Sequence, residues 1–200
     1  MIGKPPPLLI VLSGPSGAGK DAVVDCMMRR GYPFHFVVTT TTRPPGTGET
    51  DGVDYHFVSK ERFQEMLSRD EFLEHASVYG HWYGVPKEEV RKALARGEDA
   101  LLRIDVQGAA TIKKLFPEAV SIFLMPGSQE ELRPRLQKRL RGIPKSLELR
   151  LARALEEMRS VTSFDYVVVN RDDKLEEAAD EVRAIITAEK CKVVPRKIEL

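Results

Sequence analysis

The sequence predicts an α/β fold, a parallel sheet flanked by helices with a small β-containing lobe inserted after the second strand. Three observations carry this expectation. Leu8 to Leu12 is a continuous apolar run of strand length, which suits a strand buried on both faces of a parallel sheet. Gly14-Pro15-Ser16-Gly17-Ala18-Gly19-Lys20 follows it directly and opens onto a helical stretch from Asp21 to Arg30. Beyond these, short apolar runs alternate with helical periodicity to the end of the chain, the pattern of a doubly wound sheet.

Each further element has its own local signal. The first helix ends at Gly31-Tyr32-Pro33, and Phe34 to Val38 is the second strand candidate. Residues 39–85 change character: they are rich in Thr, Gly, Pro and aromatics, with short runs such as Tyr55-His56-Phe57-Val58, and read as the inserted β lobe. Pro86 to Arg96 reads as a helix, because a proline early in the first turn sacrifices only an N–H that has no partner there, and Gly97 follows its end. Ala100 to Val106 is strand-like, followed by Gly108 and a helix from Ala109 to Leu115; Val120 to Leu124 is another strand. Two charged helices, Gln129 to Leu140 and Leu147 to Arg159, flank Arg141-Gly142-Ile143-Pro144. Tyr166 to Val169 is the last strand and Leu175 to Lys190 the last helix.

At 200 residues with 42% hydrophobic side chains, the chain suits a single α/β domain with a buried core. The expected division is a core over 7–38, 86–126 and 160–190, a lobe over 39–85, and a charged helical lid over 129–158. Lys plus Arg total 31 against 30 Asp plus Glu, so no global charge points to nucleic acid or a membrane surface. Cys26 and Cys191 lack metal-ligand spacing, and Cys26 reads as a small core residue. His35, His56, His75 and His81 show no triad or metal spacing. The apolar leader is too short to span a bilayer and carries no cleavage signal, so a cytoplasmic setting is expected, as a monomer or homodimer.

The glycine segment carries the strongest single chemical signal. Between a buried strand and a helix, its backbone amides form a nest for phosphate oxygens, the helix N-terminus adds positive potential, and Lys20 extends an ammonium toward the transferred phosphate. The plainer alternative is a structural glycine turn. The phosphate-loop pattern then calls for Ser or Thr, to ligate Mg²⁺, where this chain has Asp21. Asp21 still offers oxygen to a hard cation, or amide-accepting capacity to a helix start.

A second constellation follows at Thr39-Thr40-Thr41-Thr42-Arg43-Pro44-Pro45, Glu49, Asp51-Gly52, Asp54-Tyr55 and Phe57-Val58: hydroxyls and one arginine suited to a phosphate. With Glu71-Phe72-Leu73-Glu74, Tyr83-Gly84, Ile104-Asp105-Val106-Gln107-Gly108-Ala109 and Val168-Val169-Asn170, the chain resembles the guanylate kinase family from about Leu9 to about Ile186. The resemblance implies a P-loop nucleoside-monophosphate kinase fold, ATP and Mg²⁺ at the donor side, and GMP (with dGMP as an alternative) as acceptor. It implies that Arg43, Tyr55 and Tyr83 hold the acceptor phosphate while Thr39 and Glu74 face the guanine edge. A carboxylate there accepts from N1–H and the 2-amino group, donors that adenine lacks on that edge. Gly14 to Lys20, with Asp21 and Asn170, would bind ATP; Asp105 and Asp21 would hold the metal. Lys20, Arg43, Asp105 and two lid arginines, Arg139 and Arg150, would be catalytic. Surface charge for Glu74, core packing for either tyrosine, and a solvated face for the lid arginines are the plainer alternatives.

Three more positions depart from the family pattern. Gly46 stands where a second phosphate-binding arginine is expected, Arg103 where an acidic guanine contact is expected, and Val85 where Ser or Thr is common. Arg103 either pairs with Glu74 and occupies the base-reading carboxylate, or reaches the acceptor phosphate in place of the missing arginine. These departures leave two other readings open: a catalytically impaired nucleotide- or protein-binding domain, and a kinase with an altered acceptor.

Overall fold

The computed structural model describes residues 5–140 and 144–200, with side chains throughout except at 138–140 and 144–146. Arg141, Gly142 and Ile143 of the expected loop, and the side chain of Arg139, therefore lie outside the described residues.

The apolar run becomes β1 (Leu9–Ser13), and every one of its residues is buried. Alternation along it serves two cores. Ile10 and Leu12 pack with Val23, Val24 and Met27 of α1 (Lys20–Arg29) and with Ala178, Ala179 and Val182 of α7 (Leu175–Lys190). Leu9 and Val11 pack on the opposite face with Val90 and Ala93 of α3 (Lys87–Ala95) and Ile112 of α4 (Val106–Leu115). A strand with no solvent face cannot alternate polar and apolar residues, which is why this one reads as continuous apolarity.

The main sheet has five parallel strands in the order β2-β7-β1-β8-β9, with β2 (His35–Val37), β7 (Ala100–Arg103), β8 (Val120–Pro126) and β9 (Tyr166–Asn170) around β1. A second sheet of four strands, in the order β4-β3-β6-β5, is built from β3 (Thr40–Thr41), β4 (His56–Phe57), β5 (Phe72–Val78) and β6 (His81–Pro86). The β5–β6 hairpin closes on Tyr79 and Gly80, both at positive φ (50° and 80°), as a two-residue turn between the paired Val78 and His81. α5 (Gln129–Leu140) and α6 (Pro144–Met158) pack together through Leu132, Leu136, Leu147 and Ala154.

Besides small shifts such as α6 starting at Pro144 instead of Leu147 and β8 running on to Pro126, two larger differences from the sequence-based expectation bear on the site. The inserted lobe contains a helix, α2 (Lys60–Ser68), that its Thr-, Gly- and Pro-rich surroundings conceal. Its Ser59 hydroxyl caps it by accepting from the Arg62 amide, and its Phe63 is buried against Phe72, ring centres 4.5 Å apart. The strand read as Ala100 to Val106 stops at Arg103, because the Asp105 carboxylate accepts the Gly108 amide at 2.8 Å and starts α4 at Val106 instead of Ala109. A helix cap thus overrides apolar runs that would suit either element.

Glu189 near the end of α7 is a buried carboxylate closed by the C-terminal segment: Arg196 donates to it at 2.7 and 3.0 Å, with Lys192 and the Tyr166 hydroxyl also bound. The Arg196 contact, opposed by burial and aided by Tyr166 and Lys192, draws its pKa from 4.5 down to about 2. The folded state therefore binds the proton less well than the unfolded one. The associated stability is present above pH 4.5 and is lost as pH falls toward 2. Replacing Arg196 with Met should cost about 2 kcal/mol at pH 7 in urea unfolding, since one buried partner is removed while two remain. That difference should shrink on acidification.

Candidate active site

The turn after β1 is shaped by close backbone approach. At Gly14 (φ 144°) a Cβ would lie 2.2 Å from the Leu124 carbonyl oxygen, and at Gly19 (φ 91°) one would lie 2.3 Å from Asn170 Nδ2. Only glycine fits either place. Asn170, at the end of β9 and 5% exposed, donates to the Ala18 carbonyl at 2.9 Å and so braces the loop from behind. Lys20 Nζ donates to the carbonyls of Gly14 (2.6 Å) and Pro15 (3.1 Å), its own loop.

In front of the loop is a cavity of 710 Å³ where the two sheets and α6 meet. Gly14, Ser16, Lys20 and Asp21 line its loop side; Thr39, Arg43, Tyr55, Glu74 and Tyr83 line the side formed by the smaller sheet. Arg103 at the end of β7 and Asp105 just after it also line the cavity, and Arg150 approaches from α6. Pro15, Gly17, Ala18, Gly19 and Asn170 build the loop without lining the cavity.

The polar atoms of the smaller-sheet side are held ready. Tyr55 and Tyr83 meet edge to face, 6.0 Å between ring centres. Arg43 Nη2 donates to Glu49 at 2.8 Å, and the other Glu49 oxygen accepts the Gly46 amide. Burial opposes the Arg43 charge, but Glu49 and Tyr83 outweigh it and raise its pKa. Gly46 thus supplies a backbone donor to a carboxylate, where a side chain would crowd Glu49 at 3.0 Å. Val85 is fully buried and belongs to the core beside Leu73 and Val90, so its difference from the family pattern is one of packing.

Glu74 is the unusual group. It is 5% exposed, its Oε2 has no hydrogen-bond partner, and no ion pair among the described residues reaches it. Burial first, and the Asp105 charge second, push its pKa up to about 8. Asp105 Oδ2, Thr39 Oγ1 and Thr40 Oγ1 are also buried without partners. Orphaned buried polar atoms are rare in folded proteins, and Glu74, Asp105 and Thr39 all line one cavity.

Arg103 does not pair with Glu74. Its Nη1 lies 3.1 Å from Asp21 Oδ1, its Nη2 donates to the Asp54 carbonyl at 2.9 Å, and its guanidinium sits 5.1 Å and 4.9 Å from the ring centres of Phe36 and Tyr55. Burial disfavours this cation, yet Asp21, with Tyr55, Asp25 and Asp54, more than offsets that and holds its pKa above the ordinary arginine value.

Two residues that the sequence does not single out close the cavity. Glu157 of α6 accepts the Ser16 amide at 3.1 Å, on the glycine loop itself. Tyr79, at the hairpin tip, lies under Arg150 and Arg153, 4.2 and 4.8 Å from its ring centre. A tyrosine at positive φ, where glycine or asparagine is usual, is the signal that marks Tyr79. Of the other arginines on α5, Arg133 pairs with Glu148, and Arg135 with Glu131 and Asp172.

A family model described as guanylate kinase matches residues 7–189. The chain belongs to the guanylate kinase family. It is 46% identical to guanylate kinase 2, chloroplastic/mitochondrial, of Oryza sativa subsp. japonica over 98% of this chain and 69% of the relative. It is 45% identical to the guanylate kinase of Clostridium perfringens strain SM101 over 93% of this chain and 85% of that one. The crystal structure of guanylate kinase from Anaplasma phagocytophilum superposes with a TM-score of 0.79 at 34% identity, covering 96% of this chain and 90% of that one. Arg43, Tyr55, Glu74, Tyr83 and Asp105, which the sequence resemblance singled out and which lie far apart along the chain, border one cavity with Lys20.

An acid whose folded pKa exceeds its unfolded value destabilises the fold progressively as pH rises between the two, here from 4.5 to about 8. Glu74→Gln should therefore stabilise the ligand-free protein at pH 8 by on the order of 2 kcal/mol, a gain that vanishes near pH 5. Thermal melts across that range check it.

Proposed function

We propose that this chain transfers the terminal phosphoryl group of ATP to GMP, yielding ADP and GDP, at the cavity between the glycine loop and the smaller sheet. The observation that carries the assignment is the pairing of a phosphate loop with a buried carboxylate whose Oε2 has no partner, on opposite sides of one cavity. The first suits a polyphosphate; the second suits a base edge with two adjacent donors. In this reading the smaller sheet with α2, residues 39–85, is the acceptor lobe, and α5 with α6 is the lid.

ATP phosphates would accept from the loop amides at the start of α1, and Lys20 would exchange its loop carbonyls for phosphate oxygens. GMP would place its phosphate against Arg43, Tyr55 and Tyr83 and its base against Glu74 and Thr39. An oxygen of the GMP phosphate then attacks the γ-phosphorus in line, the bond to the bridging oxygen of ADP breaks, and no side chain is covalently modified. Phosphoryl transfer of this kind asks the protein for positioning and for charge spread over the equatorial oxygens. Arg150, and Arg139 from the far end of α5, would add charge when the lid meets both nucleotides.

Mg²⁺ fits the donor set in one way. Among the described residues no cluster of three metal-ligating side chains occurs, so a resident protein cage is not in view. Mg²⁺ commonly uses one or two carboxylates together with substrate phosphates, and Asp105 Oδ2 is a buried oxygen lacking a partner. Asp105 would hold the ion, directly or through water, with Asp21 as the second candidate. When bound, the ion would neutralise negative charge on the phosphates.

An ADP-release assay over GMP, dGMP, AMP, CMP and UMP tests the assignment. Turnover with the guanine nucleotides is expected; no turnover with any acceptor would make the chain a binding domain, and preference for another base would overturn the reading of Glu74. The raised pKa of Glu74 adds a pH signature. The ligand-free carboxyl is protonated below about 8, while both guanine donors need the carboxylate. GMP affinity should rise with pH between 6 and 8, by up to about tenfold per unit. Glu74→Gln should weaken binding and flatten that dependence, as read by equilibrium titration.

A further inference from the structure

Two of the departures from the family pattern are partners. Asp21 opens α1 directly after the phosphate-loop lysine, Arg103 ends β7, and their side chains meet at 3.1 Å. Arg103 is nearly enclosed, with 5% of its side chain exposed, while Asp21 is half exposed at the cavity wall. The other close contacts of the guanidinium are to neutral groups: the Asp54 carbonyl and the rings of Phe36 and Tyr55. Asp21 is therefore the carboxylate in direct contact with this cation, while Asp25 and Asp54 attract it from farther away.

That direction matters because Glu74 borders the same cavity as an uncompensated carboxylate with a partnerless oxygen. A buried arginine that loses its contacting counter-ion lowers its energy by turning to another carboxylate, because uncompensated charge is costly at low dielectric. Glu74 on the shared cavity competes for it with Asp25 and Asp54. An arginine on Glu74 would use up the acceptor positions meant for the base. The Arg103 Nε is buried without a partner, so its present placement already leaves one donor unsatisfied.

We propose that Asp21 and Arg103 form one unit that determines base specificity: Asp21 holds the guanidinium at the phosphate-loop side of the cavity and so keeps Glu74 open to guanine. Asp21 is thus a positioning residue, acting on the base site through Arg103, and its contribution differs from that of a hydroxyl after the loop lysine. The proposal rests on the reading of Glu74 as the base-edge carboxylate.

The test compares equilibrium affinities for GMP and IMP, which differ only in the 2-amino group, with a thermal melt on every variant. The native chain should prefer GMP. Asp21→Ser should lower that preference on the order of tenfold by releasing Arg103 onto Glu74, and adding Arg103→Gln to Asp21→Ser should restore most of it. Restoration by removing a second residue is what a merely structural brace would not show, since losing both partners cannot repair a brace. Asp21→Asn, isosteric and uncharged, serves the same comparison if the serine variant does not fold. An unchanged preference in Asp21→Ser, or a double variant no better than the single one, would overturn the proposal and leave the Glu74 assignment standing. A native chain that binds GMP and IMP equally would overturn both.

Discussion

Glu74 and the cations around it set the terms for the rest of the cavity. A carboxylate buried against another carboxylate, with no counter-ion, destabilises the ligand-free fold, and its neighbours must be arranged so that none of them neutralises it. Among the described residues, the lysine and arginines lining the cavity each have an internal partner. Lys20 is held by its own loop carbonyls, Arg43 by Glu49, Arg103 by Asp21, and Arg150 rests on Tyr79. Even the Ser16 amide of the glycine loop has an anionic partner, in Glu157.

In the proposed reading, the oxygens that hold Lys20 and Arg43 and the ring under Arg150 stand in for nucleotide phosphate oxygens, while Arg103 keeps its Asp21 partner. Binding then replaces one set of oxygen contacts with another instead of stripping water from bare charges, which lowers the reorganisation cost. The fold makes this possible by converging three elements at the carboxyl ends of its central strands, where α/β sheets characteristically place ligands. Gly14 and Gly19 let the loop lie against Leu124 and Asn170, and the Asp105 cap turns one of its oxygens to α4 while the other stays unpartnered.

Much of this was legible in the sequence, for physical reasons that differ by element. β1 and the glycine loop are local signals: buried apolarity, then a turn only glycine can make. The motif residues Arg43, Tyr55, Glu74 and Tyr83 were legible as spaced chemistry, although nothing local said that they border one cavity. α2 was concealed because a short helix of mostly polar residues, with Phe63 as its one buried side chain, lies between turn-rich segments. β7 was read too long because apolar residues suit both the strand and the start of α4, and the Asp105 cap decides between them. The Asp21–Arg103 pair was least legible. Both residues stood out as departures, one at the phosphate loop and one at the base site, but a contact between segments so distant in the chain leaves no local trace.

The central claim is that Glu74 faces an open base site because Arg103 is held elsewhere, and a crystal structure of the GMP complex tests it most directly. The account predicts guanine with N1 and the 2-amino group within hydrogen-bond distance of Glu74, the nucleotide phosphate on Arg43 in place of Glu49, and Arg103 still on Asp21. Guanine bound away from Glu74, or Arg103 lying across that carboxylate, would contradict it.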